Sequence, residues 1–148
     1  MNSTCLWGII PAAFAVTVAD HIGNENEARV LVVDDDSAIR RMIVAALRRE
    51  GIYTFLEAGN GKDALDLMRG QHPDVVVLDL MMPILSGWDV LRERAHDASI
   101  RKIPVILVSA NRDPEIATAV DAGICAFLPK PFDIGALGAL VKSCINTR

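Results

Sequence analysis

Three consecutive acids, Asp34, Asp35 and Asp36, stand directly after the apolar run "VLVV" at residues 30–33. Two unit charges about 4 Å apart repel by roughly 4 kcal/mol at an effective dielectric of about 20, so carboxylates gathered at the end of a buried strand need something to offset the cost. Taken alone, the triplet has a plain explanation: one acid caps the next helix and the others are solvated. Other apolar runs end in the same way, however. Asp79 closes "VVVLD", Ser109 closes "VILVS", and Lys130 follows "AFLP". Clustered carboxylate oxygens suit a hard divalent cation, and Mg²⁺ takes one or two carboxylates together with phosphate oxygens and water. On this reading Asp34 and Asp35 hold a metal while Asp36 caps the helix. A carboxylate is also a nucleophile toward phosphorus, giving an aspartyl phosphate, and Asp79 is placed for that chemistry.

The charges explain the lysine. Three carboxylates carry about −3, which Mg²⁺ and Lys130 neutralise, and a phosphoryl group on Asp79 adds about one further negative charge. Lys130 and the Ser109 hydroxyl are the donors available to the new anion. If Ser109 turned toward it, space would open in the interior behind the hydroxyl. Phe127, three residues before Lys130, is the bulky side chain nearest in sequence that could fill that space; an ordinary strand aromatic is the alternative.

These residues meet only if their strands lie parallel in one sheet. The pattern predicts strands over residues 29–33, 52–58, 73–79, 103–110 and 125–129, the first a valine-rich run of the kind covered on both faces. Helices are predicted from Asp36 to Gly51, with Ile39, Met42, Ile43, Ala46 and Leu47 as the apolar stripe, and over 61–70, 86–98, 113–123 and 133–145. Gly70 is expected to close the second helix, and Asp113 with Pro114 to open the fourth. Five strands alternating with five helices imply an α/β fold with right-handed crossovers and a doubly wound five-stranded parallel sheet. In such sheets the functional crevice lies at the carboxyl ends of the strands, which is where Asp34, Asp35, Asp79, Ser109 and Lys130 stand.

A chain of 148 residues with 51% hydrophobic content suits one domain with a sizeable core. A net charge of −4, and no basic cluster beyond pairs such as Arg40-Arg41 and Arg48-Arg49, argues against direct nucleic-acid binding. Cys5, Cys125 and Cys144 are odd in number and widely spaced, with no C-x-x-C, which points to a reducing compartment. His21, His72 and His96 form no zinc-type pair and read as loop or surface residues. Residues 1–28 differ from the rest: an apolar stretch, "CLWGIIPAAFAVTVA", precedes a polar linker. The stretch is short and interrupted by Gly8 and Pro11, so membrane insertion is not expected. "AFA" resembles a signal-peptidase site, but "MNST" before the apolar run lacks Lys and Arg, which argues against export. A loosely held extension, an added strand or a partner-contact segment is expected there.

The motifs "LVVDDD", "PDVVVLDLMMPILSGWDVL", "PVILVSA" and "AGICAFLPKPF" together resemble the receiver domain of two-component response regulators, over residues 29–146. The resemblance implies a flavodoxin-like fold, Asp34 and Asp35 as the acidic metal pair, and Asp79 as phospho-acceptor. It further implies the main-chain carbonyl of Met81 as a metal ligand, Ser109 as the switch hydroxyl, Lys130 as the phosphate partner and Phe127 as the switch aromatic. The Lys130-Pro131 peptide is cis in that family, which suits an X-Pro bond in a tight site. Departures are Ser109 in place of the more frequent threonine and Phe127 in place of the frequent tyrosine, so that any switch would rest on packing alone. Residues 1–28 fall outside the family pattern, and no output domain is expected after Arg148.

The function so implied is a stand-alone, cytoplasmic phospho-acceptor of a two-component system or phosphorelay. It would take a phosphoryl group, with Mg²⁺, from a sensor histidine kinase or a histidine phosphotransfer protein. It would take part in its own phosphorylation and dephosphorylation without being a classical enzyme. Phosphorylation would switch a face over 113–145 toward an unknown downstream protein, and the resemblance also admits a phosphorylation-dependent dimer. Two other classes fit less well. The intact set of site residues argues against a constitutive interaction module in which phosphorylation is incidental. A phosphohydrolase of the haloacid dehalogenase type wants a second acid two residues after its nucleophile, where this chain has Met81.

Overall fold

The computed structural model describes residues 27–51, 53–110 and 123–146. Its strands are β1 (Ala28–Val33), β2 (Tyr53–Ala58), β3 (Val75–Asp79), β4 (Val105–Ser109) and β5 (Ala126–Pro129). Its helices, among the described residues, are α1 (Ser37–Glu50), α2 (Gly61–Gln71), α3 (Gly87–Ala95) and α4 (Ile134–Asn146). The strands form one parallel sheet in the order β2-β1-β3-β4-β5. The helix expected over 113–123 lies outside the described residues except for Gly123, and the segment 1–28 does so except for Glu27 and Ala28.

Side chains of a strand alternate between the faces of a sheet, and here both faces are covered. Leu31 and Val33 of β1, Val76 and Leu78 of β3, and Val105 and Leu107 of β4 pack with Leu65, Met68, Val90 and Leu91 of α2 and α3. Their neighbours Val30, Val32, Val75, Val77, Ile106 and Val108 pack on the opposite face with Ile43, Leu47, Leu137 and Val141 of α1 and α4. The three central strands therefore read as continuous apolar runs. The edge strands β2 and β5 are only partly covered, and β2 carries polar Thr54 and Glu57 among its apolar residues.

Helix ends depart from the sequence expectation. α2 runs through Gly70 to Gln71 and stops where His72 adopts the left-handed conformation, φ 46°, its N–H bonded to the Met68 carbonyl. α3 stops at Ala95 because the Asp97 carboxylate takes the N–H of Ser99 at 2.9 Å and its hydroxyl at 2.6 Å, which organises a turn in place of another helical one. Arg94, near the end of α3, is buried; its Nε donates to the Ile103 carbonyl at 3.0 Å and its Nη2 to that of Gly123 at 3.4 Å. The guanidinium thus ties α3 to the segments leading into β4 and β5.

The cysteines require a correction to the expectation that they are reduced. Cys125, just before β5, and Cys144, on α4, form a disulfide with their Cα atoms 6.0 Å apart. A separation of 19 residues gave no hint of this, because the two meet only through the packing of α4 beside β5.

Candidate phospho-acceptor site

β1 and β3 are adjacent, with Val33 in register with Leu78, so Asp34 just beyond β1 and Asp79 at the end of β3 emerge side by side. The sheet order reverses direction between these two strands, which opens a crevice at their carboxyl ends. Asp34 and Asp79 are buried, Asp35 is exposed, and one oxygen from each of the three carboxylates lies within 4.8 Å of the others. Lys130 reaches in from the end of β5. Its Nζ lies 3.0 Å from Asp34 Oδ2 and 3.6 Å from Asp79 Oδ2.

The two buried acids are held by the main chain. Asp34 Oδ1 accepts from the Asp36 N–H at 2.9 Å, and Asp79 Oδ1 from the Met81 N–H at 3.2 Å. Asp36 points the other way: its Oδ1 accepts the N–H groups of Ala38 and Ile39 at 2.9 and 3.4 Å, capping α1. Ser109 is fully buried at the end of β4, one residue beyond Val108, which is in register with Asp79. The Ser109 carbonyl accepts the Lys130 N–H at 2.9 Å, and the Lys130-Pro131 peptide is cis. Phe127, in register with Leu107, is half-buried against the core under α2 and α3.

Burial is the largest influence on Asp79 and raises its pKa; the charges of Asp34 and Asp35 push the same way, against the Lys130 ammonium and the Met81 N–H. Burial also opposes the Lys130 ammonium, but its hydrogen bond to Asp34 and the charges of Asp79 and Asp34 outweigh this and raise its pKa. Three carboxylates beside one ammonium leave about two negative charges in the crevice, which a divalent cation balances. The donor set, all oxygen and partly solvent-facing, fits a hard cation that keeps some of its water.

Two residues that hold the site went unrecognised in the sequence. Arg40, on the first turns of α1, donates from Nη1 to the Asp34 carbonyl and pairs through Nε with Glu57 at 3.4 Å, bracing the turn that carries the acids. Gly87 begins α3 against the end of β3: a Cβ there would overlap the Asp79 carbonyl oxygen and lie 2.7 Å from Leu80 Cα. Glycine at the start of a helix hinted at this; nothing in the sequence around Arg40 did.

The model of the response regulator receiver domain matches residues 30–142. The chain belongs to the receiver-domain family of response regulators. Among curated relatives, the regulatory protein AtoC of Escherichia coli (strain K12) is 39% identical over 122 residues, which cover 80% of this chain and 25% of AtoC. Response regulator MprA of Mycolicibacterium vanbaalenii is 39% identical over 120 residues, covering 80% of this chain and 50% of MprA. The chain thus spans a quarter to a half of the length of these relatives. Among solved structures, the receiver domain of the Francisella response regulator 1452 superposes with a TM-score of 0.75 at 32% identity, covering 82% of this chain and 98% of that one. The chemotaxis protein CheY4 of Vibrio cholerae does so with a TM-score of 0.72 at 26% identity, covering 80% and 98%. The fold and the family are those that the motifs implied.

Proposed function

We propose that Asp79 accepts a phosphoryl group from a phosphohistidine, and that Asp34 and Asp35, with Asp79 and the Met81 carbonyl, hold the Mg²⁺ that the transfer needs. The observation that carries this reading is the convergence of three carboxylates under one lysine at the reversal point of the sheet. In the transfer an Asp79 carboxylate oxygen bonds to phosphorus, the phosphorus–nitrogen bond of the donor breaks, and the imidazole leaves and takes up a proton. The cation supplies positive charge to the phosphoryl oxygens. In this reading Lys130, whose ammonium already pairs with Asp34 and Asp79, pairs with the phosphoryl group, and Ser109, at the end of the adjacent strand, donates its hydroxyl to it.

The donor in this reading is a sensor histidine kinase or a phosphotransfer protein, which makes the chain a cytoplasmic signalling component and not a classical enzyme. An open groove of about 500 Å³, lined by Ile39, Met42, Ala110, Lys130, Pro131 and Phe132, adjoins the crevice and offers an apolar seat for such a donor. The responding face, over 113–145, includes β5 and α4. Incubation with acetyl phosphate and Mg²⁺, followed by mapping of the acid-labile adduct, tests the assignment: one phosphoryl group is expected, on Asp79. Retention of the label in Asp79→Asn would overturn it.

A further inference from the structure

The disulfide stands at a position of consequence for that reading. Cys125 lies two residues before Phe127 and five before Lys130, while Cys144 lies on the last turns of α4. The bond therefore fastens the start of β5 to the far end of the helix that follows it. Noncovalent contacts hold α4 elsewhere: Leu137 and Val141 pack with β1, β3 and β4, and Lys142 pairs with Glu50 of α1 at 3.7 Å. α4 can accordingly remain folded on the sheet with the bond open, but less tightly tied to β5.

The two sulfurs are unequal in access. Cys125 is exposed, whereas Cys144 is 1% exposed within the core shared by α1 and α4. A thiolate attacks whichever sulfur it can reach, so reduction starts at Cys125, and oxidation of the open form starts there too. In a reducing cytosol a disulfide that can be reached in this way is transient and redox-sensing more often than structural.

We propose that Cys125 and Cys144 form a reversible thiol–disulfide site that sets how freely α4 moves against β5, and through it the response of this face to phosphorylation. The regulatory half of this inference rests on the phospho-acceptor reading. In the oxidising direction a hydroperoxide converts the Cys125 thiol to a sulfenic acid with release of the alcohol or water, and the Cys144 thiol displaces water to close the bond. In the reducing direction a dithiol of the thioredoxin class attacks Cys125, Cys144 leaves as the thiolate and is protonated, and the dithiol ends as its own disulfide. Each direction moves two electrons and two protons.

The test uses the full chain with Cys5→Ser, so that only the pair can react. After hydroperoxide treatment, neither Cys125 nor Cys144 is expected to take up an alkylating reagent, and a dithiol should restore alkylation of Cys125 first. Hydrogen exchange over 134–146 should be several-fold faster in the reduced form, and its thermal midpoint lower by roughly 10 °C, as expected for opening a ring of this size. Cys125→Ser should behave as the reduced form whatever the oxidant, and Cys144→Ala likewise, with a smaller risk to the core than a serine there. Alkylation of Cys125 after oxidation, or equal exchange in the two forms, would overturn the proposal. Beryllofluoride with Mg²⁺, as a phosphoryl mimic, should then change exchange over 134–146 in the reduced form and much less in the oxidised one. Equal responses would overturn the regulatory half. No response from the reduced form, despite a redox difference in exchange, would instead count against the phospho-acceptor reading.

Discussion

The ionisation of Asp79 makes this single residue both a liability and the centre of the site. Its pKa in the folded protein is raised, first by burial, so the fold favours the protonated acid. The stability this contributes is present below the ordinary carboxylate range and is lost as pH rises through the raised value. At neutral pH the ionised Asp79 thus destabilises the metal-free fold. Asp79→Asn, a neutral isostere, should raise the melting temperature in chelated buffer at pH 7, by an amount that shrinks at pH 4. Mg²⁺ should raise the melting temperature of the natural protein and much less that of the variant. A variant less stable than the natural protein without metal would contradict this account. Asp35 and Asp36, adjacent in sequence, should fail differently. Asp35→Ala is expected to weaken Mg²⁺ binding, whereas Asp36→Ala should remove the α1 cap at a cost of about 1 kcal/mol and leave metal titration nearly unchanged. At this scale the acids and the lysine were legible because each follows an apolar run, which fixes its place on the sheet edge. Arg40 and Cys125 were not, because what they do depends on neighbours that only the folded chain brings near.

Strands were easier to read than helix ends, for a physical reason. β1, β3 and β4 are buried on both faces, so nearly every residue had to be apolar, and their runs stand out. A helix end, by contrast, is decided by one or two polar contacts. His72 in the left-handed conformation ends α2 where Gly70 invited an earlier stop, and the Asp97–Ser99 turn ends α3 three residues before the apolar pattern suggested. The start of α3 matters most for the site, because Gly87 brings its first turn against the main chain of Asp79 and Leu80. Ser86 fixes the same turn through a capping box with Asp89. Gly87→Ala must push α3 away from β3. A loss of about 2 kcal/mol or more is expected, as for other overpacked sites, together with weaker Mg²⁺ binding as the Asp79 carbonyl shifts. Denaturant unfolding and metal titration measure the two effects. Unchanged metal affinity in a destabilised variant would separate α3 docking from the geometry of the acids.

Across the whole molecule, the crevice and the proposed responding face are joined by β4 and β5, which lie side by side with Ser109 opposite Pro129 and Leu107 opposite Phe127. Ser109 is fully buried, so its hydroxyl cannot turn toward a phosphoryl on Asp79 without leaving room in a packed interior. Phe127 is half-buried, with ring surface still to bury, and it stands on the strand next to that space. Fully burying a Phe side chain is worth roughly 1.5–3 kcal/mol, and the minority of the ring still exposed leaves at most about 1 kcal/mol of that available here. A differential of about 1 kcal/mol shifts a two-state equilibrium roughly fivefold, which biases a partner surface without completing the switch. Ser109→Ala should therefore still accept phosphate yet lose most of the coupling, since no hydroxyl remains to report the new charge. Phe127→Ala should uncouple as well, with Mg²⁺ affinity nearly unchanged, because its ring faces the core and not the acids. Comparison of NMR shifts over 123–145 with and without beryllofluoride, in reduced protein, reads both variants. Shifts as large as those of the natural protein in both would mean that the signal leaves the crevice by a route other than β4 and β5, the loop around Met81 being the other main-chain segment bonded to Asp79.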